Sequence, residues 1–295
     1  MNYRLENKTI VITGANSGIG QAAAIQLARL GATVILACRS AERGAKAQAQ
    51  ICQAAQSGKV ELMLLDLSSQ ASVRKFVEDL QRQHTRLDVL IHNAANFDQT
   101  LKRPVLTPEG IETIFATNHV GVFLMTYLLL DTLKASAPSR IITVASKGLT
   151  LYPFLDIEFD NLNGERKYSS QHAYYHSKQA QVMFTYDLAD RLKGTGVTVN
   201  CVRVTNVALP DERVVDLPSL QQRLYRLKRM ASISPERMAE TYVYLAADPA
   251  VQDVSGGFWD EHNRQVRSNS KSYSRETQKR LWSVSERLAG LNRAS

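Results

Sequence analysis

The feature that most constrains this chain is a rhythm. Six short β-branched runs, Thr9–Thr13, Thr33–Cys38, Lys59–Leu64, Leu87–Ile91, Arg140–Ala145 and Val197–Val202, alternate with longer helical patterns near 18–30, 41–56, 69–83, 109–135, 170–193, 218–230 and 235–247. The runs are continuously apolar, as strands covered on both faces require. A β-α-β-α order closes by right-handed crossovers, which places helices on both sides of one sheet. The prediction is therefore an α/β fold, a single-domain doubly wound parallel sheet of Rossmann type spanning 1–295. With 295 residues, 44% hydrophobic and 22% charged, a sizeable core is available, and disordered or fibrous classes are excluded. Two long connections, Leu149–His172 and Val204–Ser234, break the rhythm. Long connections in compact α/β domains are often functional, and a substrate lid is predicted near 204–234.

The first strand runs into Thr13-Gly14-Ala15-Asn16-Ser17-Gly18-Ile19-Gly20, which opens a helix. In this G-x-x-x-G-x-G spacing, Gly14 permits a tight turn, Gly18 a close approach of backbone to a pyrophosphate, and Gly20 close helix–strand packing. The helix then offers free N–H groups and a positive dipole end to the phosphates. The loop Gly14, Asn16, Ser17, Gly18, Ile19 and Gly20 is the predicted dinucleotide cradle. A carboxylate at the end of the second strand would favour NAD; here the strand ends Ala37-Cys38-Arg39. Arg39 can fork onto a 2′-phosphate, so NADP(H) is predicted. Arg43 and Lys46, in the next helix, are candidates to assist Arg39, but read better as a solvated face.

Tyr174-Tyr175-His176-Ser177-Lys178 sets Tyr174 and Lys178 four residues apart, on one helix face. A nearby ammonium favours phenolate, so Lys178 is expected to lower the Tyr174 pKa and fit it for proton transfer. Tyr175, three residues from Lys178, points elsewhere.

Taken in order, Thr13-Gly14-x-x-x-Gly18-Ile19-Gly20, Asn93-Ala94, Asn118, Ser146 and Tyr174-x-x-x-Lys178 resemble the short-chain dehydrogenase/reductase family over nearly the whole chain. Phe159-Asp160-Asn161-Leu162-Asn163-Gly164-Glu165, Ala173 to Lys178, Ala37-Cys38-Arg39 and Lys279-Arg280-Leu281-Trp282 resemble its retinol-dehydrogenase-like branch. The resemblance implies hydride exchange between NADP(H) and a small-molecule carbonyl or alcohol. By it, Tyr174 is the general acid/base, Lys178 holds the nicotinamide ribose, and Ser146 hydrogen-bonds the substrate oxygen. Asn118 would hold a water linked to Lys178. Asp66 and Leu67 would bind the adenine, and Asn93 and Ala94 the adenine ribose. It also implies a homodimer or homotetramer paired through the helices near 109–135 and 170–193, and a lipophilic substrate.

Departures from the family pattern are His92-Asn93-Ala94-Ala95, with Ala95 adding a methyl, and Arg203-Val204-Thr205-Asn206-Val207, where the family has Pro-Gly. His92 is expected to pack under the cofactor, and Thr205 or Asn206 to reach the carboxamide. Leu149, Leu151, Tyr152, Phe154 and Leu155, with Leu209, Val214, Val215, Leu217, Leu220, Leu224 and Leu227, are candidates for a bulky lipophilic pocket or for ordinary core. The rival reading is a catalytically silent NADP-binding regulator or scaffold. Its mark would be a damaged catalytic set, yet Asn118, Ser146, Tyr174 and Lys178 are all present.

Three widely spaced cysteines and no H-E-x-x-H argue against disulfides and metal. The N-terminus has no h-region, and the apolar run Val120–Leu130 is too short to span a bilayer, so a cytoplasmic location is expected. The net charge of +8 concentrates at 262–295, where eight basic residues face two acids. This segment reads as a basic C-terminal extension without a nucleic-acid motif. Peripheral contact with anionic lipid is the most it suggests.

Overall fold

The computed structural model describes residues 4–208 and 232–291. Seven strands, β1 (Thr9–Thr13), β2 (Thr33–Cys38), β3 (Val60–Leu64), β4 (Val89–His92), β5 (Ser139–Ser146), β6 (Val197–Val204) and β7 (Phe258–Trp259), form one sheet in the order β3-β2-β1-β4-β5-β6-β7. Every pairing is parallel. The helices are α1 (Gly18–Arg29), α2 (Ala41–Ala55), α3 (Gln70–Gln83), α4 (Thr113–Ala135), α5 (Ser170–Arg191), α6 (Pro235–Ala247) and α7 (Arg275–Leu288). The doubly wound α/β prediction is met.

Strand side chains alternate between two cores. Ile10, Ile12, Leu36, Ile91 and Val202 pack with α1, α2 and α6 on one face. Val11, Ile35, Leu90, Ile141 and Val199 pack with α3, α4, α5 and α7 on the other. Both sets are buried, which is why the runs read as continuous rather than alternating. Serines start five of the helices: Ser40, Ser69, Ser169, Ser234 and Ser274 each accept a backbone N–H of the first turn. Ser17, before α1, makes no such capping bond.

Several boundaries differ from expectation. β5 and β6 run on to Ser146 and Val204, and these two residues are in register. Without Pro-Gly after Arg203, nothing removes a backbone donor or forces a turn there, so the ladder continues. The helix expected from 109 starts at Thr113. Gly110 has φ +76° and closes a turn, and the Glu112 carboxylate then caps Phe115 N. β7, two residues long, is too short for periodicity to reveal.

α7 was not predicted. The charge of the segment hid its apolar stripe, although Ser274 as cap, Glu276 in the first turn and Arg287 in the last are ordinary start and stop signals. Leu281 and Trp282 are buried in the core. The described part of the basic extension, 262–291, is packed onto the body: Arg275 pairs with Asp190, Lys271 with Asp156, and the Arg280 guanidinium lies over the Phe159 ring. The helix candidate 218–230 and the candidate pocket residues Leu209, Val214, Val215, Leu217, Leu220, Leu224 and Leu227 lie outside the described residues. Among the described residues, α4 is the one helix long and apolar enough to cross a membrane. Its apolar window is 72% buried, against α3, α5 and α7.

Candidate active site

The carboxyl ends of β1, β2, β3 and β4 open onto a cleft of about 540 Å³. Of the predicted cofactor residues, Gly14, Asn16, Ser17, Gly18, Ile19, Arg39, Asp66, Leu67, Asn93 and Ala94 line it. Gly14 has φ +66°, and a Cβ there would come within 2.9 Å of Ala94 Cα. Gly20 sits behind the loop, where a Cβ would meet Asn93 Nδ2 at 2.4 Å. Glycine at both positions lets the β1 and β4 turns touch.

That contact is hydrogen-bonded throughout. Asn93 Nδ2 donates to Thr13 O and Gly14 O at 3.0 and 3.2 Å, and its Oδ1 accepts from Tyr242 Oη at 3.2 Å. Ala94 N donates to Thr13 Oγ1 at 3.0 Å. The Asn93 side chain therefore knits two turns together, a use that its expected ribose contact did not include. The Asp66 carboxylate is fixed by Ser68, whose N and Oγ donate at 2.9 and 2.6 Å. Arg43, exposed on α2, lines the cleft with Arg39, whereas Lys46 does not. Ala95, noted above only as an added methyl, lines it too, as do Asn96, Asp98 and Thr117, which were missed. All but Asp98 lie within two residues of a predicted one, which is the signal that would have found them.

The cradle suits a dinucleotide. Two left-handed glycines, Gly14 and Gly18, keep side chains off the loop; α1 begins at its edge; and two guanidinium groups stand at the β2 end.

The second group of residues lies outside the lining of this cleft. Ser146 ends β5, and Tyr174 and Lys178 lie on α5. Lys178 is 2% exposed and donates to Val144 O at 2.8 Å; its Nζ is 5.7 Å from the centre of the Tyr174 ring. Burial brings this ammonium down to about 8, with Cys201 pulling the other way. Burial raises the Tyr174 phenol to about 12; Tyr175 adds to the rise and a hydrogen bond from Ser146 opposes it. Desolvation of the phenolate dominates, and Lys178 is not among the groups that shift Tyr174, contrary to expectation.

Asn118 occupies a π-helical turn of α4, Ala116–Val120. Such turns recur at functional sites. Its Oδ1 accepts from Asn96 N at 2.6 Å, and its Nδ2 donates to Asn96 O and Ser177 Oγ at 2.9 and 3.0 Å. Asn118 thus clasps the β4 turn to α5, where the expectation was a water-holding role. His92, expected under the cofactor, is buried instead against α4, with Nε2 2.8 Å from Thr126 Oγ1. Asn206 O accepts from Ile233 N, and neither Thr205 nor Asn206 lines the cleft; Val207 and Ala208 do.

Two features beside Ser146 were not anticipated. Lys147 Nζ and Arg203 Nη2 reach the Glu261 carboxylate at 3.0 and 3.4 Å, tying the ends of β5, β6 and β7 together. Although burial opposes ionisation, the residue's own N–H and the two cations hold Glu261 at about 2. The Phe97 ring also stacks on Tyr174, centroids 4.0 Å apart and 28° from parallel.

Comparison with known proteins agrees with this geometry. A family model described as short chain dehydrogenase matches residues 8–155. The chain is 41% identical to retinol dehydrogenase 14 of Homo sapiens, covering 97% of this chain and 88% of the relative. It is 38% identical to retinol dehydrogenase 13 of Homo sapiens, covering 99% and 87%. A crystal structure of an uncharacterized protein from Mycobacterium Paratuberculosis superposes with TM-score 0.73 at 28% identity, covering 98% and 95%.

Proposed function

This chain belongs to the short-chain dehydrogenase family, in its retinol-dehydrogenase-like branch, and from that premise we propose an NADP(H)-dependent interconversion of carbonyl and alcohol with Tyr174 as general acid/base. That it is an oxidoreductase using a nicotinamide cofactor follows from the family. The observation that carries the finer reading is the pair Arg39 and Arg43 at the end of β2, with no carboxylate at the position that would bind ribose hydroxyls. The cofactor would rest on Gly14 to Ile19, with Asp66, Leu67, Asn93 and Ala94 along its adenosine half and Lys178 at its nicotinamide ribose.

When bound, NADPH supplies the hydride equivalent for the carbonyl carbon. Tyr174, protonated at neutral pH, donates its phenolic proton to the substrate oxygen. Ser146 donates a hydrogen bond to the same oxygen as charge grows on it, a large effect in a dry site. Lys178, held by Val144 O, keeps positive charge beside the phenol while Tyr174 is proton-depleted. In the oxidative direction Tyr174 accepts the alcohol proton.

Leu149 is buried in a small core cluster that Leu155 joins, whereas Leu151 and Phe154, exposed beyond Ser146, support a bulky lipophilic substrate. Asn269 ties this connection to the basic 267–271 segment through Tyr152 O. This supports peripheral contact with anionic lipid. The homodimer or homotetramer would need a surface other than α4 and α5, because α7 packs there, with Trp282 4.9 Å from Phe123 and 6.1 Å from Phe184.

The test is kinetic. With aldehydes as substrates, kcat/KM should be higher with NADPH than with NADH; equal or better use of NADH defeats the cofactor assignment.

A further inference from the structure

The Phe97 ring has no part in the mechanism above, yet it touches the central residue. Its backbone position is set with unusual firmness for a loop. Asn118 holds both polar groups of Asn96, accepting from N at 2.6 Å and donating to O at 2.9 Å. On the other side, the Asp98 carboxylate receives Thr100 N and Oγ1 at 2.9 and 2.6 Å. Asn96 and Asp98 both line the nucleotide cleft, and Phe97 does not. The residue between them is turned instead onto the α5 tyrosines.

There it forms one member of an aromatic wall. Phe97 lies 4.0 Å from Tyr174, nearly parallel, and 6.4 Å from Tyr175, edge on. Tyr175 continues the row to Tyr152 at 4.7 Å. Tyr152 stands on the connection that begins just after Ser146. Phe97 is 40% exposed, whereas Lys178 beside it in the site is sealed. An aromatic face left open next to a proton donor is a contact surface for whatever carries the oxygen that receives the proton. A ring of this kind prefers a flat partner, because offset stacking needs two planar faces and a puckered group of equal size touches at fewer points.

We propose that Phe97 is a specificity-determining residue: it contacts the group attached to the substrate's carbonyl carbon and selects for a planar one. It also backs the Tyr174 ring, holding the phenol against Ser146. This inference rests on the reaction proposed above.

The test compares two aldehydes of the same ring size, benzaldehyde and cyclohexanecarbaldehyde, in the wild type, Phe97→Leu and Phe97→Tyr, with NADPH. The readout is the ratio of their kcat/KM values within each protein, which cancels the intrinsic difference in reactivity when proteins are compared. Loss of a shape-matched apolar contact changes discrimination by roughly tenfold. Phe97→Leu should therefore lower the benzaldehyde preference by about that factor, mostly through KM, and Phe97→Tyr should restore it. A ratio that is the same in Phe97→Leu and wild type overturns the proposal, as does a Phe97→Tyr protein that behaves like Phe97→Leu. Binding separates this inference from the reaction itself: saturation-transfer NMR of benzyl alcohol should show contact that weakens in Phe97→Leu. If no aldehyde is turned over by the wild type, the proposed reaction falls, and the benzyl alcohol measurement alone decides for Phe97. Unaltered transfer in Phe97→Leu rejects it.

Discussion

At its nucleotide end the site is made of turns; at its carbonyl end it is made of side chains from distant elements. The first is a set of short strand-to-helix turns in which Gly14 and Gly18 have left-handed φ. The second joins Ser146 from β5, Tyr174 and Lys178 from α5, Phe97 from the β4 turn, and Glu261 from beyond β7. A turn is specified by the residues in it, because a positive φ or a clash at Cβ is a local property. A constellation drawn from four places depends on packing across the whole sheet, and its electrostatics depend on burial that no local window reveals.

The comparison can be broken most sharply at Tyr174. Tyr174→Phe should reduce turnover about 10²- to 10⁴-fold while NADPH affinity, measured by titration calorimetry, hardly changes; a proportionate loss of both would mean that the two ends are not separable. Next in size is Trp282→Ala, on a helix remote from the nucleotide. Removing a buried indole should cost about 3–5 kcal/mol of stability by denaturant titration, since Trp282 packs on Phe123 and Phe184 and under the Arg191 guanidinium. A cost below about 1 kcal/mol would return the C-terminal segment to the status of an appendage. Arg39→Ala should weaken NADPH by about 10- to 100-fold, the worth of a charge-assisted contact, and leave NADH nearly as it was; equal losses would remove Arg39 from the 2′-phosphate.

Per histidine and per pH unit, the smallest effect is on stability, and it follows from the buried His92, His119 and His176. Burial lowers His176 to about 4, and His92 and His119 to about 3, with His176 adding to the shift of His119. Between those values and the ordinary 6.5, the unfolded chain binds more protons than the folded one, so stability falls as pH drops through about 6.5. The slope is about 1.4 kcal/mol per pH unit for each histidine. A scan of Tm from pH 7 to 5 checks this, and the double variant His92→Gln/His119→Gln should make the dependence shallower, leaving the share of His176.

Much of the sheet was legible because strands covered on both faces must be apolar throughout and helices between them must be periodic. The glycine turns were legible for the same local reason, and Gly14, Gly18 and Arg39 line the cleft as expected. Arg43 was harder to place because a helix face bordering a cleft has the same composition as one bordering solvent. α7 escaped because its basic residues masked Leu281, Trp282 and Val284, and β7 because two residues carry no period. At the carbonyl end, Tyr174 and Lys178 were legible as a pair. Their protonation was not: the Lys178 ammonium is spent on Val144 O and the phenol is raised by burial. Nor was the pair of hydrogen bonds by which Asn118 clasps Asn96, since twenty-two residues separate the two.

The central claim is that both ends work together, as an enzyme and not as a silent binder of nucleotide. The most direct measurement follows NADPH absorbance with the wild-type protein against a panel of lipophilic aldehydes and ketones, alongside the NADPH dissociation constant from calorimetry. The account predicts tight binding with turnover of at least some of the panel. Tight binding with no consumption of NADPH across the panel would contradict it and make the chain an NADP-binding regulator or scaffold.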